Sequence, residues 1–357
     1  MASPATLAWN RFSRNPLSVV SLGGIVCLTV VALLGYLITP DSTPHCNQQY
    51  LELATLKPMS RIHFTCIDEG QPKPTKGWLH KMMAGEPLPY TAIPTYHTTA
   101  IGDSIDIECY TGATPNDGEH KRVHRSQVVK QEVHTFYLGT DGYGRDVLSM
   151  VVIGSRVSLS VGFIAVFIAL LIGVSLGAVA AYHGGKTDSL ISWLINVVWS
   201  IPTVLLVIAI TFALGKGFWQ VFIAVGLTMW VDIARVVRGQ TYSIKEKEYV
   251  EAARALGYGP FRIIFRHILP NITGAIIVVA ASNFATAILL EAGLSFLGIG
   301  VQPPMPSWGT MVKENYCYIL LDNAYLALLP GAAIMLTVLA FMLVGNGLRD
   351  ALDVKNV

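Results

Sequence analysis

Apolar residues in this chain come in long unbroken runs, without the short period of a surface helix or a half-buried strand. The stretch LSVVSLGGIVCLTVVALLGYLI (17–38) carries no charge, and neither do 157–181, 189–214, 272–290 and 323–348. A bilayer core takes about 20 apolar helical residues, so uncharged runs of this length read as membrane spans. A sixth run, GFWQVFIAVGLTMWV (217–231), is short by itself. It becomes long enough if its helix continues to Val237, past Asp232 and Arg235 near one interface. Six spans are therefore predicted. Pro202 and Pro330 fall inside two of them, where neighbouring helices can re-satisfy the backbone groups that a proline frees. Gly173, Gly177, Ala178 and Ala181 form a small-residue face suited to close helix packing.

Two stretches break the pattern. Residues 39–156 form a long polar segment rich in Pro, Thr and His, in which DSIDIECY (103–110) alternates as a strand does. KRVHRSQVVKQEVHTFYL, which follows it, suits a strand or a short helix. Residues 245–267 are different again, with eight charges in 23 positions. Within them, 246–256 reads as a helix that Gly257 ends as a C-cap. GYGP is then a turn, and Pro260 opens a second helix. Phe261, Ile264, Phe265, Ile268 and Leu269 follow at the spacing of an apolar stripe, with Arg262 and Arg266 on another face and Pro270 at the next span's boundary. The structural reading is an amphipathic connector at the membrane surface. The Ala252–Ala253 pair between Glu251 and Arg254, closed by a glycine, adds a small surface that another protein can approach closely.

Composition fixes the class. The chain is 52% hydrophobic and 13% charged over 357 residues, with a mean hydropathy of +0.51, far from a soluble domain of this size. The net charge of +2 says little, and its distribution says more. With the N-terminus inside, the cytoplasmic stretches hold Arg11, Arg14, Lys186, Arg235, Arg238, Lys245, Lys247, Arg254, Arg262, Arg266, Arg349 and Lys355, against Lys216 and Lys313 in the short outer turns. Basic residues in short loops mark the cytoplasmic side, so both termini are expected there. The first apolar run exceeds a signal peptide's usual h-region and lacks a small-x-small site, which favours an uncleaved anchor. Cys46, Cys66, Cys109 and Cys317 then lie outside, where disulfides can form. Four cysteines allow three pairings, free thiols are also open, and nothing in the sequence chooses.

EAARALG followed by RHILPN resembles the Glu-Ala-Ala, three residues, Gly, then Leu-Pro signature of ABC importer permeases, in particular the C-type permease of dipeptide, oligopeptide and nickel importers. LGTDGYGRDVLSMVVIGSRVSLSVG (138–162), LLEAGLSFLGIGVQPPMPSWGTMV (289–312) and RNPLSVVSLGGI (14–25) resemble that family's core start, last outer loop and anchor. The resemblance covers residues 1–38 and 138–357. It implies an all-α polytopic protein with six transmembrane helices, the type I ABC importer permease fold, carrying a long extracytoplasmic insertion. The division is an anchor with its cytoplasmic N-terminus (1–38), the insertion (39–137) and a five-span core (138–357) holding a cytoplasmic coupling region (238–271). It further implies an inner-membrane subunit, non-catalytic and without a cofactor of its own, since ATP and Mg are used by partner ATPase subunits. The implied partners are a second permease, two ATPases, an outer substrate-binding protein and membrane lipid, with no nucleic acid. Glu251, Ala252, Ala253, Arg254 and Gly257 would form the coupling helix, with Arg262, Arg266 and Pro270 tying it to the next span. His267 departs from the general signature and fits the peptide branch.

Other motifs are weighed against this reading. AAYHGGKTD (180–188) approaches a phosphate-binding loop, but a span precedes it where a strand is needed. Asp141 and Asp146 in GTDGYGRD lack the ligand order of a calcium loop and read as a capped turn. His120, His124 and Glu119 raise zinc, though a solvated polar loop is the plainer reading. Trp308 in PPMPSWG suits an outer interface. Asn283 and Glu291, polar groups in or near a span, are candidates for the translocation path. A membrane-anchored enzyme or sensor working through 39–137 is the alternative function, and a stand-alone channel or carrier is a further one, disfavoured by the charged island.

Overall fold

The computed structural model describes residues 4–70, 77–112, 115, 118–215 and 217–352; Lys216 and Lys355 lie outside these. The chain opens with two helices, α1 (Pro4–Phe12) and α2 (Pro16–Ile38). Next comes a mixed segment: β1 (Ser60–Ile67), α3 (Trp78–Ala84), β2 (Thr91–Ile101), β3 (Ser104–Cys109), β4 (His120–His124) and β5 (Val128–Phe136). The rest is helical: α4 (Val147–His183), α5 (Gly185–Trp199), α6 (Thr203–Leu214), α7 (Phe218–Lys245), α8 (Glu248–Ala255), α9 (Pro260–Ile263), α10 (Leu269–Phe296), α11 (Trp308–Asn315) and α12 (Tyr325–Leu352).

Among the described residues, five helices are long and apolar enough to cross a membrane: α2, α4, α7, the continuous 260–296 helix and α12. The pair α5 and α6 makes a sixth if taken as one span, but it bends by 92°. The expected tolerated kink at Pro202 is thus a break. Ser200 caps α5, and Pro202, at ψ 124°, has left helical geometry before α6 begins. Pro330 differs, because α12 runs through it. The short run at 217–231 forms the 28-residue α7, which continues past Val237 to Lys245.

Contacts gather the residues into two compact units, one of 1–28, 158–302 and 332–357, the other of 29–157 and 303–331. In the first, α7 is the most enclosed helix, with Phe222, Ile233 and Val237 fully buried. Gly173 and Gly177, one turn apart on α4, face it. A Cβ on Gly173 would sit 2.6 Å from the Trp230 carbonyl oxygen, and one on Gly177 would sit 2.5 Å from that of Ala234. The small-residue face therefore sets how closely these two helices approach.

The second unit holds a five-stranded antiparallel sheet in the order β4-β3-β2-β1-β5. The strand expected at 103–110 is β3, and KRVHRSQVVKQEVHTFYL becomes β4, a single 3₁₀ turn and β5. Pro94, which cannot donate to a ladder, is carried in β2 beside a register shift between Thr95 and Thr98. One face packs Leu53, Ile62, Phe64 and Phe136 together; Ile67, Ile107 and Val123 form a second cluster.

In this unit Asp141 accepts from the Tyr143 and Arg145 backbone N–H groups at 2.9 Å each and from Arg145 Nε at 2.7 Å. Arg145 also reaches Glu314 at 2.5 Å. GTDGYGRD is thus a turn closed by an ion network, and Asp146 caps α4 through the Ser149 N–H at 2.9 Å. Gly144 holds φ 72°, and a Cβ there would run into the Tyr50 carbonyl, so the turn requires glycine. Trp308 is enclosed by its own chain. It is 1% exposed, and its indole Nε1 donates to the Val151 carbonyl at 2.9 Å. Burial of the ring with its single donor satisfied makes it a packing anchor.

Candidate coupling site

The charged island folds largely as its residues predict. α8 spans Glu248–Ala255, with Glu248 and Glu251 in its first turn and Arg254 in its last, which suits the helix dipole at both ends. Leu256 is the C-cap and Gly257 sits at φ 76°. Tyr258 N–H donates to the Ala253 carbonyl at 3.1 Å and Gly257 N–H to that of Arg254 at 2.9 Å. This is a Schellman closure, in which the left-handed residue lets both bonds form. A Cβ at Gly257 would meet nothing within 4 Å, so conformation rather than room selects glycine here.

The helix is held by few groups. Val250 and Ala253, three apart on one face, are buried in the core cluster of this unit, while Glu248, Glu251, Ala252, Arg254 and Ala255 are exposed. Burying a valine contributes about 1.5–3 kcal/mol, enough to fix an eight-residue helix that could not stand alone. Polar ties surround it. Lys245 Nζ donates to the Ala181 carbonyl at the end of α4 at 2.8 Å, a cation on a helix C-terminus. Arg238 grips Asp188 with Nε at 2.6 Å and Nη2 at 2.8 Å. Asp188 is the last residue of the phosphate-loop lookalike, so that stretch serves as a joint between α5 and α7, entered from helix α4 rather than from a strand. Arg254 lies over the Tyr182 ring at 5.3 Å.

The second half of the island corrects the expected stripe. Ile263, Ile264 and Ile268 are buried, whereas Phe261 is 74% and Phe265 56% exposed, and their rings pack on each other 4.4 Å apart. The buried face runs through Ile263, Ile264 and Ile268, with the two phenylalanines to one side of it, and a π-helical turn follows at Ile264–Ile268. Pro270 also differs from expectation. It stands at the first turn of α10 with no boundary before it, because 260–296 is one continuous helix. Arg262 stacks over Tyr258 at 4.1 Å, Tyr258 stacks on His267 at 6.0 Å, and Arg266 is exposed. Arg262, Tyr258 and His267 are therefore brought together, and Leu256 (72% exposed), Phe261 and Phe265 are exposed in the same stretch. Periodicity had assigned both phenylalanines to the buried side; only their failure to fit a strict stripe in FRIIFRHIL could have warned otherwise.

The remaining candidates are dispersed. Asn283, buried, donates from Nδ2 to the Met229 carbonyl at 3.3 Å, bridging α10 to α7. Glu291 is 0% exposed and accepts from Ser158 at 3.2 Å and Ser295 at 2.7 Å. Ser295 Oγ in turn accepts from the Val301 N–H at 3.1 Å. All five cysteines are free thiols, with Cys46 and Cys66 buried, Cys109 half-buried and Cys317 exposed. Burial pushes the Cys66 thiol up to about 11. His120 meets Asp106 at 2.8 Å and His124 meets Ser126 at 2.7 Å. On strand β4 the two histidines stand about 13 Å apart along the chain at ~3.3 Å per residue, too far to share one ion. Among the described residues, no three His, Cys, Asp or Glu side chains converge as metal ligands.

Residues 148–356 match the family model of the binding-protein-dependent transport system inner membrane component. Residues 3–58 match that of the N-terminal TM domain of oligopeptide transport permease C. The chain is 42% identical over 219 residues to a glutathione transport system permease protein of Pectobacterium atrosepticum, covering 61% of this chain and 72% of that one. It is 45% identical over 219 residues to a dipeptide transport system permease protein of Alkalihalophilus pseudofirmus, with the same coverage. Among solved structures, the MetNI methionine ABC transporter in inward facing conformation aligns at a TM-score of 0.48 and 20% identity, over 57% of this chain and 97% of that one.

Proposed function

The chain belongs to the binding-protein-dependent transport system inner membrane components, and we propose that it is the C-type permease of an importer for di- or oligopeptides. Membership makes it a multi-pass, non-catalytic translocation subunit of an ABC importer, with ATP hydrolysis residing in partner subunits and a substrate-binding protein serving it. The relatives named for dipeptide and glutathione transport support the peptide cargo. They lend nothing to an enzyme or sensor working through residues 39–137.

The observation that carries the mechanism is the anchoring of α8. Two buried residues and a Schellman closure hold it to the span bundle, while its outer face and Leu256, Phe261 and Phe265 stay exposed. In the proposal an ATPase subunit docks there, against Glu251, Ala252, Arg254 and Gly257. Closure of two ATPases around ATP pushes α8, and the continuous 260–296 helix transmits the push through Arg262, Arg266 and Pro270. ATP shifts access only by binding one conformation better than the other. The complex holds one related second permease, two ATPases and one binding protein, and this chain binds neither ATP nor metal. Both termini and 238–271 face the cytoplasm of a bacterial inner membrane, and 39–137 lies outside. Asn283 and Glu291, engaged between helices, keep the spans in register and bear on the translocation path through packing.

The test is a mild-detergent pull-down of tagged chain from native membranes, assayed for companion subunits and ATP hydrolysis, beside Gly257→Val. ATPases and a second permease should accompany the wild type, and the ATPases should be depleted from the variant. A chain that comes down alone and inert overturns the proposal.

A further inference from the structure

Between the sheet and the segment after α2 lies a cavity of about 250 Å³, just below the ~300–1,000 Å³ of ordinary small-molecule pockets. All its lining residues belong to one compact unit. Asp41 and Asp146 stand on one side of it, and Tyr50, Phe64 and Tyr90 supply aromatic wall. One chain of hydrogen bonds joins the two acids. The Asp41 N–H donates to Ser149 Oγ at 3.0 Å, and that hydroxyl donates to Asp146 Oδ2. Asp146 is 3% exposed, and while its Oδ2 caps α4, its buried Oδ1 has no hydrogen-bond partner. A buried carboxylate oxygen without a partner carries a full desolvation cost, so this atom marks where an acceptor is on offer.

Among the described residues no ion pair engages either acid, and the basic group that bears on Asp146 by its charge is His134 on the same wall. Lys130, the lysine on the cavity wall, is already committed, with Nζ 2.8 Å from Glu132 and 4.8 Å from the Tyr90 ring centroid. That arrangement is instructive, because it shows this wall accommodating an ammonium by one carboxylate and one aromatic face. Asp146 with its unpartnered Oδ1, Asp41 joined to it through Ser149, and the Tyr50–Phe64 pair, centroids 5.0 Å apart, repeat the same elements inside the cavity. A divalent cation suits it less well. Calcium takes about six to eight oxygens, and two acids partly spent on Thr43, Gln48 and Ser149 fall short.

We propose that this cavity binds the primary ammonium group of a small molecule or peptide terminus, with Asp146 and Asp41 receiving the charge and the aromatic residues covering the adjoining apolar part. Burial holds both carboxyls above the ordinary range, and a bound cation would favour their charged forms. The proposal stands apart from the importer reading, since it concerns binding to this chain alone.

The test is calorimetric titration of the full chain in lipid nanodiscs with dialanine, putrescine, N-acetyl-dialanine and calcium chloride, repeated for Asp146→Asn and Asp41→Asn. Asparagine can still cap α4, and size exclusion with circular dichroism checks that each variant is folded. Saturable binding of dialanine, weakened about tenfold or more by acetylation and by either variant, upholds a peptide amino terminus as the ligand. The same pattern for putrescine alone upholds a free amine. Equal binding of the acetylated compound, affinity unchanged in both folded variants, calcium binding in place of amines, or no saturable binding at millimolar probe overturns the proposal and leaves the cavity to water.

Discussion

A single backbone angle separates Gly257 from its neighbours. At φ 76° an L residue with a Cβ costs about 1–2 kcal/mol, and a β-branched one costs more. Because the space around it is open, Gly257→Ala and Gly257→Val should rank by backbone strain. ATPase retention in pull-downs should fall in the order Gly, Ala, Val, with insertion unchanged. Equal loss in both would rule out graded backbone strain as the cause, and no loss in either would remove the glycine from coupling. Asp146 and Asp41 make a second prediction at this scale. Burial raises both from their ordinary 3.8, so in the window just above that value the folded chain keeps protons that the unfolded chain releases. Stability therefore falls as pH rises through the window and is fuller below it. Asp146→Asn should flatten that part of the dependence and melt higher than wild type at neutral pH. Thermal melts across the acid range check this, and parallel slopes for the two proteins would exclude Asp146 as a source.

Short elements here depend on what they lean against. α8 has only Val250 and Ala253 in the core. Val250→Asp puts an unpaired charge where a methyl pair belongs, at a cost on the order of 3 kcal/mol. The expected outcome is a chain that still inserts but whose 248–258 segment is cut by protease in inverted membrane vesicles, where wild type resists. Resistance equal to wild type would mean that the helix is held by something other than its buried face. The π turn at Ile264–Ile268 belongs to this scale too. Composition and charge made the island legible, and α8 with its glycine closure lies within two residues of the expected bounds. The exposure of Phe261 and Phe265 was not legible, since Ile263, Ile264 and Ile268 offer the core an alternative face that the spacing of apolar residues does not rank.

For the whole molecule, charge along the chain predicts sidedness. In intact cells, a membrane-impermeant maleimide should label Cys317, which is exposed, in a background lacking the other cysteines. A cysteine placed at Glu251 in a cysteine-free background should be labelled only after permeabilisation. Labelling of Glu251→Cys in intact cells would invert the topology and end the coupling proposal. The family models place the first helices and the permease core, and they leave residues 59–147 between them. Those residues build the antiparallel sheet, which sequence reading reached at β3 and only as one of two choices beyond it. Strands on a small sheet are selected by partners far along the chain, as β1 is by β5, and local alternation carries that weakly.

What the sequence determined by itself is the class, the spans, the charged island and its glycine stop. Each rests on a local cost that nothing distant can cancel: twenty apolar residues must leave water, and a left-handed turn wants no Cβ. Tertiary structure decided the rest. It broke the run at Pro202, buried Trp308 against Val151, turned Phe261 and Phe265 outward, and brought Asp41 to Asp146 across a hundred residues. Those outcomes depend on which surfaces meet, and a linear pattern does not say what a side chain will find opposite it.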